Sequence, residues 1–185
     1  MSIKIETARL ILRQFTGNDA ADVSYNSKQP TVAHFMSDMI LENEQKALEW
    51  IHWINNDKFN VAIPCIVIAV ELKAEKKCIG LIGVAPKHEL DNEIEILFEI
   101  ADEYQNNGYI TEAGEALAKW TFDNTPINYL VAIVKHDNPA SVRVIQKLGF
   151  IYQGEKRIDY DGQITDFHYY RLYNSKLKID GGQIK

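Results

Sequence analysis

Glu93-Ile94-Glu95-Ile96-Leu97-Phe98-Glu99-Ile100, followed by Tyr104-Gln105-Asn106-Asn107-Gly108-Tyr109-Ile110-Thr111-Glu112-Ala113, is the stretch on which the fold turns. The first segment alternates. Ile94, Ile96, Phe98 and Ile100 share one side of a strand, and Glu93, Glu95, Leu97 and Glu99 share the other. From Ile110 to Phe122 the period changes to helical, with Ala113, Ala116, Leu117 and Trp120 on one face. Pro126 stops that helix, and Tyr129 to Val134 reads as a short strand. Strand, helix and strand joined by short links make a crossover. Its two strands are parallel and its hand is right-handed.

The junction between strand and helix has its own chemistry. A helix start leaves backbone N–H groups without partners and carries partial positive charge, so it can cradle a pyrophosphate. Gly108 lets the chain turn and lets phosphates approach closely, Asn106 and Asn107 tolerate turn conformations, and Thr111 offers a hydroxyl. Taken alone, the segment reads equally well as a plain strand-to-helix loop with a turn glycine.

Upstream, Leu10 to Gln14 is expected as a strand and Gly17 to Ser27 as a helix capped near Asn18 or Asp19. Asn43 to Asn56 is a helix, with Ala47, Trp50, Ile51 and Ile54 at helical spacing. Ile66 to Leu72 and Cys78 to Ala85 are buried strands joined across the charged loop 73–77. Gly80 and Gly83 lie inside the second of these strands, where they allow close packing.

Downstream, Asn138-Pro139 opens a helix that Gly149 closes. Phe150 to Ile158 and Gln163 to Tyr173 are strands joined by Asp161-Gly162, a hairpin signal. The sum is an α+β chain: a mixed, mostly antiparallel seven-stranded sheet with one parallel pair and about four helices. One domain is expected over residues 1–175, with a frayed tail over 176–185.

The totals fit this picture. The chain has 185 residues, 46% of them hydrophobic and 25% charged, the balance of one globular domain. Lys and Arg total 20 against 26 for Asp and Glu. The net charge of -6 argues against nucleic acid as a partner and suits one that is cationic at one end. Cys65 and Cys78 sit in apolar runs and read as small buried hydrophobes. The N-terminal residues hold no apolar run long enough for a signal peptide or membrane span, so a cytoplasmic protein without membrane contact is expected. His34, His52, His88, His136 and His168 show no metal-ligand spacing, and no metal is expected. A Gly-x-Gly-x-x-Gly turn after a strand is missing, as is a Gly-x-x-x-x-Gly-Lys-Ser/Thr loop.

Three segments carry a family resemblance. Gln105 and Gly108 are similar to the Gln/Arg-x-x-Gly-x-Gly/Ala signature of the GNAT acetyltransferases, with Ile110 where Gly or Ala is usual. The run Asn138-Pro139-Ala140-Ser141 through Leu148-Gly149-Phe150 resembles the family's Asn-x-x-Ser/Ala segment ending in Leu-Gly-Phe. The opening Thr7-Ala8-Arg9-Leu10-Ile11-Leu12-Arg13 resembles the start of the ribosomal-protein-type (RimJ/RimL-like) branch. The likeness spans most of residues 7–173.

This resemblance implies an N-acetyltransferase that binds acetyl-CoA where two parallel strands splay apart. The pantetheine would bond to backbone at Phe98, Glu99 and Ile100, and the pyrophosphate to amides around Gln105, Asn106, Asn107, Gly108, Tyr109, Ile110 and Thr111. Asn138 and Ser141 would also touch the cofactor. A bulge is implied near Leu97 or Phe98. Ile110 would crowd the phosphates unless it turns into the core.

An acceptor amine must lose a proton before it attacks the thioester, and a carboxylate can take it. The resemblance points to Glu95 as that base. Glu93 and Glu99 are expected as solvated strand residues. The tyrosine that many family members use as general acid is replaced by Ile145. That leaves Ser141 to protonate the sulfur or to order it. The acceptor pocket is expected to draw on His34, Phe35, Trp50 and Tyr169, with Trp53 and Tyr170 as further aromatic candidates. The acceptor is a protein N-terminal amine or a small amine. A CoA-binding sensor or interaction module without catalysis stands as the alternative, and either a monomer or a homodimer is expected.

Overall fold

The computed structural model describes residues 3–56, 60–160 and 162–176, and the backbone of Ile179–Asp180 and Gln183–Ile184. One sheet organises the chain. Its strands are β1 (Lys4–Glu6), β2 (Leu10–Arg13), β3 (Ile66–Leu72), β4 (Lys77–Lys87), β5 (Glu93–Ile100), β6 (Tyr129–Lys135), β7 (Ile151–Tyr160) and β8 (Gln163–Tyr173). They lie in the order β1-β2-β3-β4-β5-β6-β8-β7. Every neighbouring pair is antiparallel except β5 and β6.

The sheet thus has eight strands, not seven. The extra one, Lys4–Glu6, pairs with β2 at the edge but is only three residues long, too short to show a period. Ile179–Asp180 and Gln183–Ile184 pair with each other in a separate two-stranded ribbon. The rest of the expected frayed tail beyond residue 176 lies outside the described residues, as does Asp161 of the β7–β8 turn. Gly162 in that turn takes a left-handed φ of 74°.

Among the described residues, five α-helices flank the sheet: α1 (Ala20–Ser27), α2 (Pro30–Phe35), α3 (Glu44–Asn56), α4 (Tyr109–Asn124) and α5 (Pro139–Lys147). The short α2 has no sequence counterpart beyond Pro30 at its first position, a residue that fits a helix start. Before α1, Gly17–Asp19 forms a 3-10 turn with a capping box between Thr16 and Asp19. Asp19 is the N-cap of α1, as expected, and Thr16 caps the turn that leads into it. At α5 the expectation holds. Asn138 caps the helix by accepting from Ser141 N at 3.0 Å. Gly149 ends it at a left-handed φ of 85°, the conformation that glycine adopts readily after a last helical turn.

The faces of the sheet differ. On one, α4 and α5 cover Ile82, Ile94, Ile96 and Leu130, with Leu117 of α4 fully buried among them. On the other, α1 and α3 cover Ala69, Leu81 and Cys78. β7 and β8 close a third cluster around Val131, Ile158 and Phe167. Cys78 is buried, its thiol pushed up to about 12 by burial and by nearby Asp19, and neither cysteine forms a disulfide.

The implied bulge near Leu97 or Phe98 is not found. β4 and β5 pair one to one from Gly80↔Ile100 to Lys87↔Glu93. The register slips elsewhere, opposite Val70–Glu71 and between Tyr152 and Gly154. The close packing expected at Gly80 is real, because a Cβ there would strike the Glu99 carbonyl of the neighbouring strand.

Candidate active site

The parallel ladder between β5 and β6 consists of one pair, Glu95↔Val131. Beyond it the ladder stops, and a cleft of about 570 Å³ opens between residues 95–100 of β5 and 132–135 of β6. A strand edge without its neighbour presents N–H and C=O groups to whatever fills the gap.

The turn from β5 into α4 forms one end of the cleft, with Gln105, Asn106, Gly108, Tyr109, Ile110 and Thr111 in its wall. Asn106 and Gly108 take left-handed φ values of 62° and 77°, and Gly108 is the N-cap of α4. The open first-turn amides of α4 therefore face a cavity, as an anion site requires. Ile110 is only 5% exposed, so its bulk is taken up by packing. Asn107 points away; its amide donates to the carbonyls of Tyr104 and Gln105.

The opening motif proves to be the brace for this turn. Arg9 Nε donates to Glu112 Oε2 at 2.7 Å, Arg9 N to Glu112 Oε1 at 2.8 Å, and Thr7 Oγ1 to Glu112 Oε1 at 2.6 Å. Arg9 Nη1 donates to the Asn107 carbonyl at 2.9 Å, and the guanidinium lies 4.5 Å from the Tyr109 ring centre. Burial works against the charge on Glu112, yet the bonds from Thr7 and Arg9 hold its carboxyl below the ordinary value.

The second helix start follows the same logic. Asn138 and Ser141 both line the cleft, as do Arg143 and Lys147 further along α5. The two cations were not anticipated, since nothing in a single sequence says which α5 face looks into the gap. Ile145 is 1% exposed and packs in the core, so α5 brings no hydroxyl to that position.

The carboxyls of β5 share one face, as the alternation requires, but their surroundings differ. Glu93 accepts from Tyr129 Oη at 2.8 Å, Tyr169 Oη at 2.7 Å and Arg171 Nη2 at 2.6 Å. Burial would raise its pKa, but these donors together hold it below the ordinary value. Glu95 lines the cleft and is pushed up to about 7, chiefly by burial. The charge of Lys87 and the N–H of Ile133 oppose the rise, and the charge of Glu89 adds to it. Glu99 is 6% exposed, lines the cleft, and is likewise pushed up to about 7 by burial alone. The expectation that Glu93 and Glu99 are solvated is thus corrected. Glu93 is only partly exposed and is tied to Tyr129, Tyr169 and Arg171, and Glu99 is buried.

Phe35, Trp50 and Trp53 stand at the cleft on the side of α2 and α3. His34 and Tyr169 do not line it. His34 is exposed beside Asp137, 3.4 Å away, and Tyr169 is 4% exposed and committed to Glu93 and Arg171. Tyr170 packs in the core on the opposite face. Tyr160 is a wall residue that sequence reasoning missed, with Lys135 Nζ 4.7 Å and Lys87 Nζ 5.7 Å from its ring centre.

The histidines, which show no metal spacing in sequence, do meet in space. Glu155 lies between His136 Nε2 at 2.6 Å and His168 Nδ1 at 2.8 Å, and the three ligand atoms are within 4.8 Å of one another. This cluster is outside the cleft lining.

Comparison with known proteins places this geometry. Residues 9–151 match the acetyltransferase (GNAT) domain family. The uncharacterized N-acetyltransferase YnaD of Bacillus subtilis is 29% identical over 171 residues, covering 91% of this chain and 95% of that protein. A GNAT-family acetyltransferase structure from Bacillus anthracis superposes with a TM-score of 0.77 at 23% identity, over 92% of this chain and 98% of that one. A ribosomal-protein-S5-alanine acetyltransferase from Vibrio fischeri gives 0.74 at 18% identity, over 94% and 98%. A cleft at a broken parallel ladder, lined by a carboxyl and ended by a helix start, thus comes with a sequence match over most of the chain: the protein belongs to the GNAT acetyltransferase family and is an acetyl-CoA-dependent acyltransferase.

Proposed function

We propose that this enzyme moves the acetyl group of acetyl-CoA to a primary amine by direct attack in a ternary complex, with Glu95 as the base. The observation that carries the reading is Glu95 itself: a carboxyl with a pKa of about 7, on the floor of the cleft, at the last pair before the strands part. A base poised near neutrality can accept a proton from an ammonium and still be ionised often enough to work.

Acetyl-CoA supplies the activated acyl group. The amides at the start of α4, with Gly108 as their pivot, hold its pyrophosphate, and Asn138, Ser141 and the cations of α5 lie along its path. The open edge of β5 at Phe98, Glu99 and Ile100 offers hydrogen bonds to the pantetheine, and a backbone N–H there meets the developing oxyanion. Glu95 takes one proton from the bound ammonium, the new C–N bond forms, the C–S bond breaks, and the second proton of the attacking nitrogen goes to the departing thiolate, which leaves as the thiol. The thiolate is a good leaving group, with a reference pKa of about 8.5, so Ser141 suffices to order it.

The fold shared with a ribosomal-protein-S5-alanine acetyltransferase and the Thr7–Arg13 opening favour a protein N-terminal amine, while the enclosed acidic floor favours a small one. A screen of thiol release from acetyl-CoA over peptides and small amines decides. Release that depends on an amine and falls in Glu95→Gln supports the reading. CoA binding without release from any acceptor supports a non-catalytic CoA-binding module, the reading that the missing α5 hydroxyl favours.

A further inference from the structure

Among the described residues, the buried side-chain atoms without a hydrogen-bond partner are Asn26 Oδ1, Glu99 Oε2 and Thr121 Oγ1. Of these residues only Glu99 lines the cleft. A buried carboxyl left unsatisfied is costly, and a group like this in the wall of a binding cavity marks a place where a ligand atom belongs.

The sheet says which ligand. The elements that grip the cofactor, α4 and α5, pack on the face of β5 that carries Ile94 and Ile96. Glu99 points to the opposite face, with Glu95 and Leu97, under the helices that bear Phe35 and Trp50. It therefore belongs to the acceptor half of the cleft. Glu95 and Glu99 are four residues apart on one extended strand, about 13 Å between Cα atoms, with the apolar Leu97 midway. Two carboxyls separated by a greasy floor mirror a molecule with two cationic ends and a methylene middle.

We propose that Glu99 is a specificity-determining residue that binds the second ammonium of an aliphatic diamine or polyamine whose first amine reacts at Glu95. The proposal rests on the acetyltransfer reading above. A cation arriving beside the Glu99 carboxyl favours its ionised form and gives the group a partner of opposite charge. The remaining wall, including Trp50 and Val67, covers the methylenes.

The test is acetyl transfer, read as thiol release, to n-alkylamines and α,ω-diamines of matched and increasing length. The wild-type enzyme should favour the diamines in kcat/KM by about tenfold or more, because an analogue lacking the second ammonium leaves the carboxyl unpaired. Glu99→Gln and Glu99→Leu should each bring the diamine-to-monoamine ratio toward one, through KM. Two variants of different polarity guard against a folding failure in either. A ratio that stays unchanged in both overturns the proposal. So does a loss of CoA affinity in Glu99→Leu equal to the loss in diamine preference, which assigns the carboxyl to the cofactor. If peptides but no diamines accept the acetyl group, the proposal fails while the acetyltransfer reading stands. If no amine at all yields thiol, both fail together.

Discussion

The two ends of β5 carry the same residue on the same face and treat it in opposite ways. Glu93 has three donors within 2.8 Å and sits below its ordinary pKa; Glu99 has a bare oxygen and sits near 7. Burial acts on both. What differs is the neighbouring strands. Tyr129 comes from β6, and Tyr169 and Arg171 come from β8, on the side of the Glu95–Val131 pair away from the cleft. Past Glu95 the ladder ends, and among the described residues no side chain bonds Glu99 Oε2. The break in the sheet thus goes with both the cleft and the lack of donors at Glu99.

Substitutions along this strand can break or sharpen that contrast. The largest effect is expected at the midpoint. Glu95→Gln should lower kcat by roughly 10²–10⁴, the range for a lost general base, with CoA affinity unchanged by calorimetry. In the wild type, kcat/KM should rise with pH as Glu95 ionises, with an apparent pKa of about 7. It should fall again as the acceptor amine loses its proton near about 10. The variant should lack the first limb.

Next comes Glu93→Ala, which strands Arg171 and two tyrosines. Arg171 keeps 29% side-chain exposure in its pair with Glu93. The loss in a denaturant titration should therefore be about 2 kcal/mol, below the cost of breaking a fully buried pair.

Glu99→Leu should act in the other direction. A carboxyl raised from 4.5 to about 7 holds its proton in the folded chain while the unfolded chain releases it. Wild-type stability therefore falls as pH rises through that window and stays lower above it. The substitution should raise stability by about 1–2 kcal/mol at pH 8, and by less at pH 5, read as thermal midpoints at the two pH values.

The smallest effect is expected at the other end of the cleft. Gly108→Ala puts a side chain at a φ of 77°. That conformation costs an L-residue about 1 kcal/mol, and the substitution should weaken CoA binding about fivefold by calorimetry.

Much of this was legible in the chain. The change from a two-residue to a 3.6-residue period around Gly108, and the Asn138-Pro139 start with its Gly149 stop, located the crossover and both helix starts that face the cleft. Glu95 was identified by resemblance, and the fold puts it at the cleft floor. Other features depend on which residues meet across the sheet. Tyr160, Lys87 and Lys135 converge from three strands. Glu155 joins His136 to His168. The Glu93 network needs residues 36 and more positions away. None of these leaves a local pattern, because a strand's period reports which side a residue faces and not what waits there. Tyr169 shows the same limit, being aromatic and on the expected strand but tied down one step away from the gap. The edge strand Lys4–Glu6 and the six-residue α2 are simply too short for periodicity to register.

The Arg9–Glu112 contact has a consequence for how the enzyme comes into being. It joins two segments 103 positions apart. Loop closure over such a distance is slow compared with forming α4 or the β3–β4 hairpin. During synthesis the segment bearing Arg9 emerges first and must wait until more than half of the chain has followed. Competence to hold nucleotide should therefore arrive late in maturation, after most secondary structure is in place. Loss of the first dozen residues should yield a chain that still collapses but cannot retain its cosubstrate.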